Sequence, residues 1–318
     1  MPYANLLLGY ETLGTLHERI GEQQTWAWDN CGSCQEKNND QVWVRVRGNH
    51  TELTGENRFN FDADQFVAQA GYDFNVSYNP ENGSRRHTGV TAAYGKSSLD
   101  FYDQYRAVNG LISSDKYMGK GTTEAGTLGL YSTYYTKNGS YLDLNSQVSY
   151  LENKYKPRDG NDVTQNGWGA ALSAEVGRPY QLGNSHWLIE PQAQLAYQFL
   201  SLDSINDKYS HIKQDNQHGL RGRIGARLAY NAPSANYQTK TFYLTANILN
   251  DFVKPSDVTV GREVLHEDYT RTWGELGLGL QLPLAKSTYA FADARYQKGF
   301  GGEDRDGYSG TIGFKYLW

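Results

Sequence analysis

From about residue 42 onward, apolar and polar side chains alternate one for one along one stretch after another. A strand sends successive side chains to opposite faces, so this period predicts strands with one apolar and one polar face. Val42, Val44 and Val46 share one face, and Trp43, Arg45 and Arg47 the other. Phe66, Ala68, Ala70, Tyr72 and Phe74 oppose Gln69, Gly71 and Asp73, while Leu172, Ala174 and Val176 oppose Ser173, Glu175 and Gly177. Ile189, Ala193, Leu195, Tyr197 and Phe199 stand against Glu190, Gln192, Gln194 and Gln198. Leu220, Ile224, Ala226, Leu228 and Tyr230 stand against Arg221, Arg223 and Arg227. The sharpest case sets Leu276, Leu278, Leu280 and Leu282 against Glu275, Gly277, Gly279 and Gln281.

Such segments predict about twelve strands, near residues 42–50, 66–76, 88–98, 122–136, 140–153, 165–178, 187–202, 218–230, 239–252, 270–282, 286–297 and 308–318. Most are long enough to cross a bilayer as tilted strands, which takes ~9–11 residues. Lys137-Asn138-Gly139 and Pro283-Leu284-Ala285 read as short turns, and residues 99–121, 203–217 and 253–269 as long polar loops. Short turns on one side and long loops on the other are the asymmetry of an outer-membrane barrel. An even strand number puts both ends of the barrel on the periplasmic side. The expected fold is therefore an all-β membrane protein, an antiparallel transmembrane barrel over residues 42–318. Its last strand carries Ile312, Phe314, Tyr316 and Trp318 on one face. It resembles the final strand of bacterial outer-membrane barrels, which the barrel-assembly machinery reads as a signal.

Residues 1–25 break the pattern. Leu6, Leu13, Leu16 and Ile20 fall at helical spacing with Tyr10 near the same stripe, and Glu11, His17, Glu18, Arg19 and Glu22 fill the remainder. Pro2 suits a helix start. A helix of roughly 20 residues is about 30 Å long, the height of a barrel. Its charges are costly in lipid, so the expected place is inside a water-filled lumen with polar walls.

Composition agrees. Mean hydropathy is -0.70, yet there are 25 Tyr, 7 Trp and 34 Gly. A barrel needs grease on one face only, and its girdles gather aromatics. The net charge of -5 gives no footprint for nucleic acid. The two cysteines form Cys31-Gly32-Ser33-Cys34 in a polar stretch without a thioredoxin-like context or a second ligand pair. They read as a small structural disulfide, with no metal and no cofactor. No export signal is visible near Met1, which reads as an internal or artificial start.

Leu13-Gly14-Thr15-Leu16-His17-Glu18-Arg19-Ile20-Gly21-Glu22, ahead of the barrel pattern, resembles the translocator domain of pertactin-like autotransporters, the type V secretion proteins. The resemblance covers essentially the whole chain. It implies a helix descending through the pore from the cell surface, residues 26–41 returning the chain on the periplasmic side, and an N-terminal passenger exported and anchored by the barrel. It implies outer-membrane lipid, the assembly machinery, periplasmic chaperones and the passenger as partners. Lumen-facing Arg45, Arg47, Arg221, Arg223 and Arg227 are then expected to meet Glu11, Glu18 and Glu22. Glu175, Glu190, Glu275 and Asp293 are expected to take Arg19 and the wall arginines. The alternative is that these charges line a wet channel and pair with one another.

Catalytic chemistry is sparse. Some members of that family cut the passenger free at an Asn-Asn pair in the helix, but residues 1–25 hold none, and Asn38-Asn39 lies beyond them. No self-cleavage of that kind is expected. His266-Glu267-Asp268 and the group Asp203, Asp207 and His211 lie in outer loops, which keeps an omptin-like surface protease as a lesser alternative. A porin-like diffusion channel is the main one.

Overall fold

The structure is a computed structural model that describes residues 2–22, 41–206, 211–232, 239–285, 287–301 and 304–317. Twelve long strands form the wall: β1 (Gln41–Leu53), β2 (Phe59–Asn79), β3 (Ser84–Asp103), β4 (Tyr117–Tyr135), β5 (Tyr141–Pro157) and β6 (Val163–Gly177). They continue as β7 (Trp187–Leu202), β8 (Gln217–Ala232), β9 (Lys240–Asp251), β10 (Thr272–Ala285), β11 (Thr288–Gly299) and β12 (Arg305–Leu317). Each pairs antiparallel with its sequence neighbours, and β12 pairs back onto β1 from Gln41↔Leu317 to Leu53↔Arg305. The sheet is thus a closed barrel with no free edge.

The alternation does what the residue pattern predicts. In β1, Val42, Val44 and Val46 are exposed, while Trp43, Arg45 and Arg47 are buried inward. Leu276 and Leu278 point out and Glu275 points in; Leu172 and Val176 point out and Glu175 in. Aromatic pairs flank the apolar band, with Trp187 against Tyr230 at 5.1 Å near one rim and Trp168 against Phe199 at 5.1 Å toward the other.

Strand ends differ from the sequence-based ranges. β2, β3 and β4 run past the apolar band, so the loop expected at 99–121 shrinks to 104–116. The backbone ladder does not need lipid. It continues with outward polar residues such as Lys96, Asp100 and Lys120, where a hydropathy pattern falls silent. Pro283, Leu284 and Ala285 are not a turn but the end of β10, with a register shift between Pro283 and Ala285. Thr136–Ser140 is a tight turn, as Lys137-Asn138-Gly139 predicts.

The N-terminal helix is two helices. α1 (Pro2–Leu13) and α2 (Leu16–Ile20) meet at Gly14-Thr15. The single long helix expected over residues 1–25 is thus broken at a glycine with φ +57°, and Cys31, Cys34 and Trp318 lie outside the described residues.

Candidate functional site

α1 and α2 run through the lumen from one rim to the other. At the long-loop rim, Tyr3 donates to Asp251 Oδ2 at 2.8 Å, accepts from Arg305 Nη1 at 3.1 Å and stacks on Tyr269 at 5.3 Å. Leu6, Leu7, Leu8 and Leu13 then bury against Leu53, Phe61, Val67, Leu99, Leu151 and Leu200. The upper lumen is therefore an apolar collar, not the uniformly polar channel expected. Small inward residues, Ala125, Ala171 and Ala196, leave room for the helix.

Below the collar the wall turns polar and serves the backbone of α1. A helix ends with four carbonyls that lack intrahelical donors. Within α1, ahead of those four, Gln198 Nε2 donates to Leu6 O at 3.0 Å and Gln147 Nε2 to Gly9 O at 3.2 Å. Arg45 Nη2 donates to Glu11 O and Thr12 O, and Gln69 Nε2 to Thr12 O. Gln194 Nε2 reaches Gly14 O at 3.0 Å. Gly9 fits because a Cβ there would lie 2.0 Å from Gln198 Oε1.

α2 begins with a capping box. Thr15 Oγ1 accepts from the Glu18 N–H, and Glu18 Oε2 accepts from the Thr15 N–H at 2.7 Å. Glu175 adds a carboxylate at the same helix start, accepting from the Leu16 N–H at 3.0 Å. Charged side chains then meet the wall on two sides. Glu11 pairs with Arg47, and Glu18 with Arg47 at 2.9 Å and Arg295 at 3.2 Å. Glu22 meets Arg227 at 2.7 Å. Arg19 pairs with Asp143, and His17 with Glu190 at 2.8 Å. The Glu22 backbone is held at the short-turn rim by Gln281 and the Lys315 ammonium.

Other expected lumen residues point inward but pair within the wall. Arg221 lies against Asp251 at 2.7 Å and over the Tyr10 ring, and Arg223 against Glu175 at 3.1 Å. Glu275 and Asp293 both meet Arg295, at 2.8 and 3.3 Å. Arg45 serves carbonyls instead of a helix carboxylate. Asp143, Arg295, Asp251 and Arg305 were not singled out from sequence. Arg295 alternates with Asp293 in the polar face of β11, and Asp143 stands between outward Leu142 and Leu144 of β5, so the alternation marks both as inward. Cavities of about 20 and 60 Å³ flank the linker, space for a few waters.

The outer loops are clasped to one another. Glu267 accepts from the N–H groups of Asn57, Arg58 and Phe59, His266 meets Asp257, and Lys254 meets Asp268. The three residues of His266-Glu267-Asp268 thus turn to separate structural partners. Asp115 accepts from Arg158 across loops 104–116 and 158–162, and this hydrogen bond, with one from the Tyr117 N–H, holds its carboxyl below the ordinary range.

A closed twelve-stranded barrel with its N-terminal segment in the lumen is matched over residues 42–295 by the family model described as autotransporter beta-domain. The chain belongs to the autotransporter β-domain family. It is an outer-membrane translocator domain. The β-domain is 27% identical to the adhesin BmaC autotransporter of Brucella suis biovar 1 over 99% of its own length and 9% of the relative's. It is 26% identical to the pertactin autotransporter of Bordetella parapertussis over 81% of its length and 27% of the relative's. The β-domain thus spans well under a third of these relatives. Its fold matches the transport unit of the autotransporter AIDA-I from Escherichia coli, with TM-score 0.73, 17% identity and coverage of 90% and 92% of the two chains. It also matches the translocator domain of NalP from Neisseria meningitidis, with TM-score 0.66, 14% identity and coverage of 99% and 98%.

Proposed function

We propose that this β-domain exports and anchors an N-terminal passenger, and that residues 1–25 stay in the pore afterwards as a plug. The long-loop rim then faces the cell surface and the short-turn rim the periplasm. Residues 26–41 form the periplasmic-side connection, with Cys31 and Cys34 bonded in that oxidising compartment, and residues 42–318 form the barrel. Ile312, Phe314, Tyr316 and Trp318 serve as the signal read by the barrel-assembly machinery after periplasmic chaperones deliver the chain. No catalytic step is assigned to the domain, and cleavage at an Asn-Asn pair is not part of the reading.

One observation carries this. The linker enters at the long-loop rim beside Asp251 and Arg305 and leaves at the short-turn rim beside Gln281 and Lys315. A chain threaded that way has its N-terminal side outside and its barrel inside the membrane. The test is an epitope tag placed ahead of residue 1 in an exported fusion. Antibody binding and protease removal on intact cells are expected. A tag reached only after the outer membrane is permeabilised would reject the reading.

A further inference from the structure

The charged groups of the linker are sorted by side. All three linker carboxylates, Glu11, Glu18 and Glu22, touch arginines of β1, β8 and β11. Both linker groups that carry or accept a proton as cations, Arg19 and His17, touch carboxylates of β5 and β7. The wall explains this sorting. Strands β8–β12 with β1 are one contiguous half of the barrel, and every fully buried wall Lys or Arg among the described residues lies on it. Arg45, Arg305 and Lys315 on that half form no direct ion pair with a carboxylate among the described residues and instead serve carbonyls, the Tyr3 hydroxyl and the Trp273 ring. Asp251, Glu275 and Asp293 offset only part of the excess.

The other half, β2–β7, buries Asp73, Asp143, Glu175 and Glu190. Its inward basic side chains among the described residues are His87, bonded to Asp73, and Arg85, half-buried over the Tyr135 ring at the short-turn mouth. The two halves meet at the β7–β8 seam, where Arg223 reaches Glu175 and Arg227 reaches Glu190. Opposite excesses facing each other across a lumen filled largely by α1 and α2 set up a transverse field, and burial of the facing groups weakens its screening.

We propose that the lumen is a charge-polarised binding site for polypeptide. It turns the carboxylates of a segment lying in it toward β8–β12 and β1, and the segment's cations toward β2–β7. This deepens the export reading and rests on it for the identity of the ligand, a segment of passenger or linker. The sorting is then a property of the wall and not of five separate pairs. It gives the linker a single rotational setting and gives a segment in transit a preferred side for each sign of charge.

The test compares three full-length variants, each refolded and recorded in a planar bilayer. E11D/R19K keeps the sense of charge, E11Q/R19Q removes it, and E11R/R19E reverses it with net charge unchanged. The expected order of open time is same-sense, then neutral, then reversed. The reversed chain should spend at least ~10 times more of the record open than the neutral one, since like charges then face each other at low dielectric. Equal opening of neutral and reversed chains would overturn the proposal, because only lost contacts would then matter. Should E11R/R19E not fold, judged by heat-modifiable migration, the wall exchange R47E/D143R against R47Q/D143N makes the same contrast with the same two outcomes. Surface exposure of the tag is scored separately. A chain that displays its tag without this order loses the polarity and keeps the export reading.

Discussion

Arg45 of β1 donates from Nη2 to the Thr12 carbonyl at 3.0 Å, and the same nitrogen bonds the Glu11 carbonyl at 2.9 Å. The barrel wall thereby ends α1. The next residue but one, Gly14, takes φ +57°, and a Cβ there would stand 2.6 Å from Arg45 Nη1. The break between α1 and the Thr15 cap of α2 therefore needs both a glycine and a donor from the wall.

Gly14→Ala should destabilise the docked linker by about 1–3 kcal/mol, the scale for a non-glycine residue forced into that region. The check is the temperature at which the heat-modifiable form is lost. The variant should lose it earlier than wild type, and an unchanged temperature would show that the break tolerates a side chain.

Arg19 and Asp143 are both almost fully buried, at 1% and 5% side-chain exposure. Removing one partner leaves the other charge uncompensated, at a cost of roughly 3–5 kcal/mol. Arg19→Ala should therefore cost more than replacing both by isosteric neutral groups in R19M/D143N. Denaturant unfolding in micelles measures both, and equal losses would show that the pair is not held at low dielectric.

The lipid face should refuse charge. Leu278 is 61% exposed on the outer wall, and an arginine near the bilayer midplane of a barrel costs about 2–4 kcal/mol. Leu278→Arg should lower folding yield in vesicles much more than Leu278→Thr, which changes the same outward position without adding a charge.

The clasp between Asp115 and Arg158 gives a pH dependence in the outer loops. The folded carboxyl titrates below its unfolded value, so its contribution is complete above the unfolded value, roughly pH 4, and is lost as pH falls through the lowered folded value. Limited acid-protease cleavage of loop 104–116 should rise at the acidic end of that window in wild type, and Asp115→Asn should be cut readily already at its top.

Much of this architecture is legible in the chain because a barrel wall has a period of two and a bilayer that enforces it. Val42, Leu172 and Leu276 face out for the same reason that Arg45, Glu175 and Glu275 face in. Strand ends above the membrane are not legible, since Asp100 and Lys120 extend a ladder that hydropathy does not report. The break in the helix was written in Gly14-Thr15 with Glu18, a cap signal inside a helical stripe, and the stripe hid it. Partner choice in the lumen was the least legible. Arg221 and Arg223 are inward as expected but pair with wall carboxylates, Asp251 on the adjacent β9 and Glu175 two strands away on β6, contacts that no single segment displays. The apolar collar around Leu6 and Leu8 arises where inward Ala and Gly positions of different strands come to one level, which no single segment displays.

The plug reading requires that the linker close the barrel it runs through. Single-channel conductance of the refolded chain, with and without residues 1–22, measures it most directly. The intact chain should pass little current or flicker, and the shortened chain should open to a large, steady conductance. Equal large conductance in both would contradict the plug and leave a barrel that is open whether or not α1 and α2 are present.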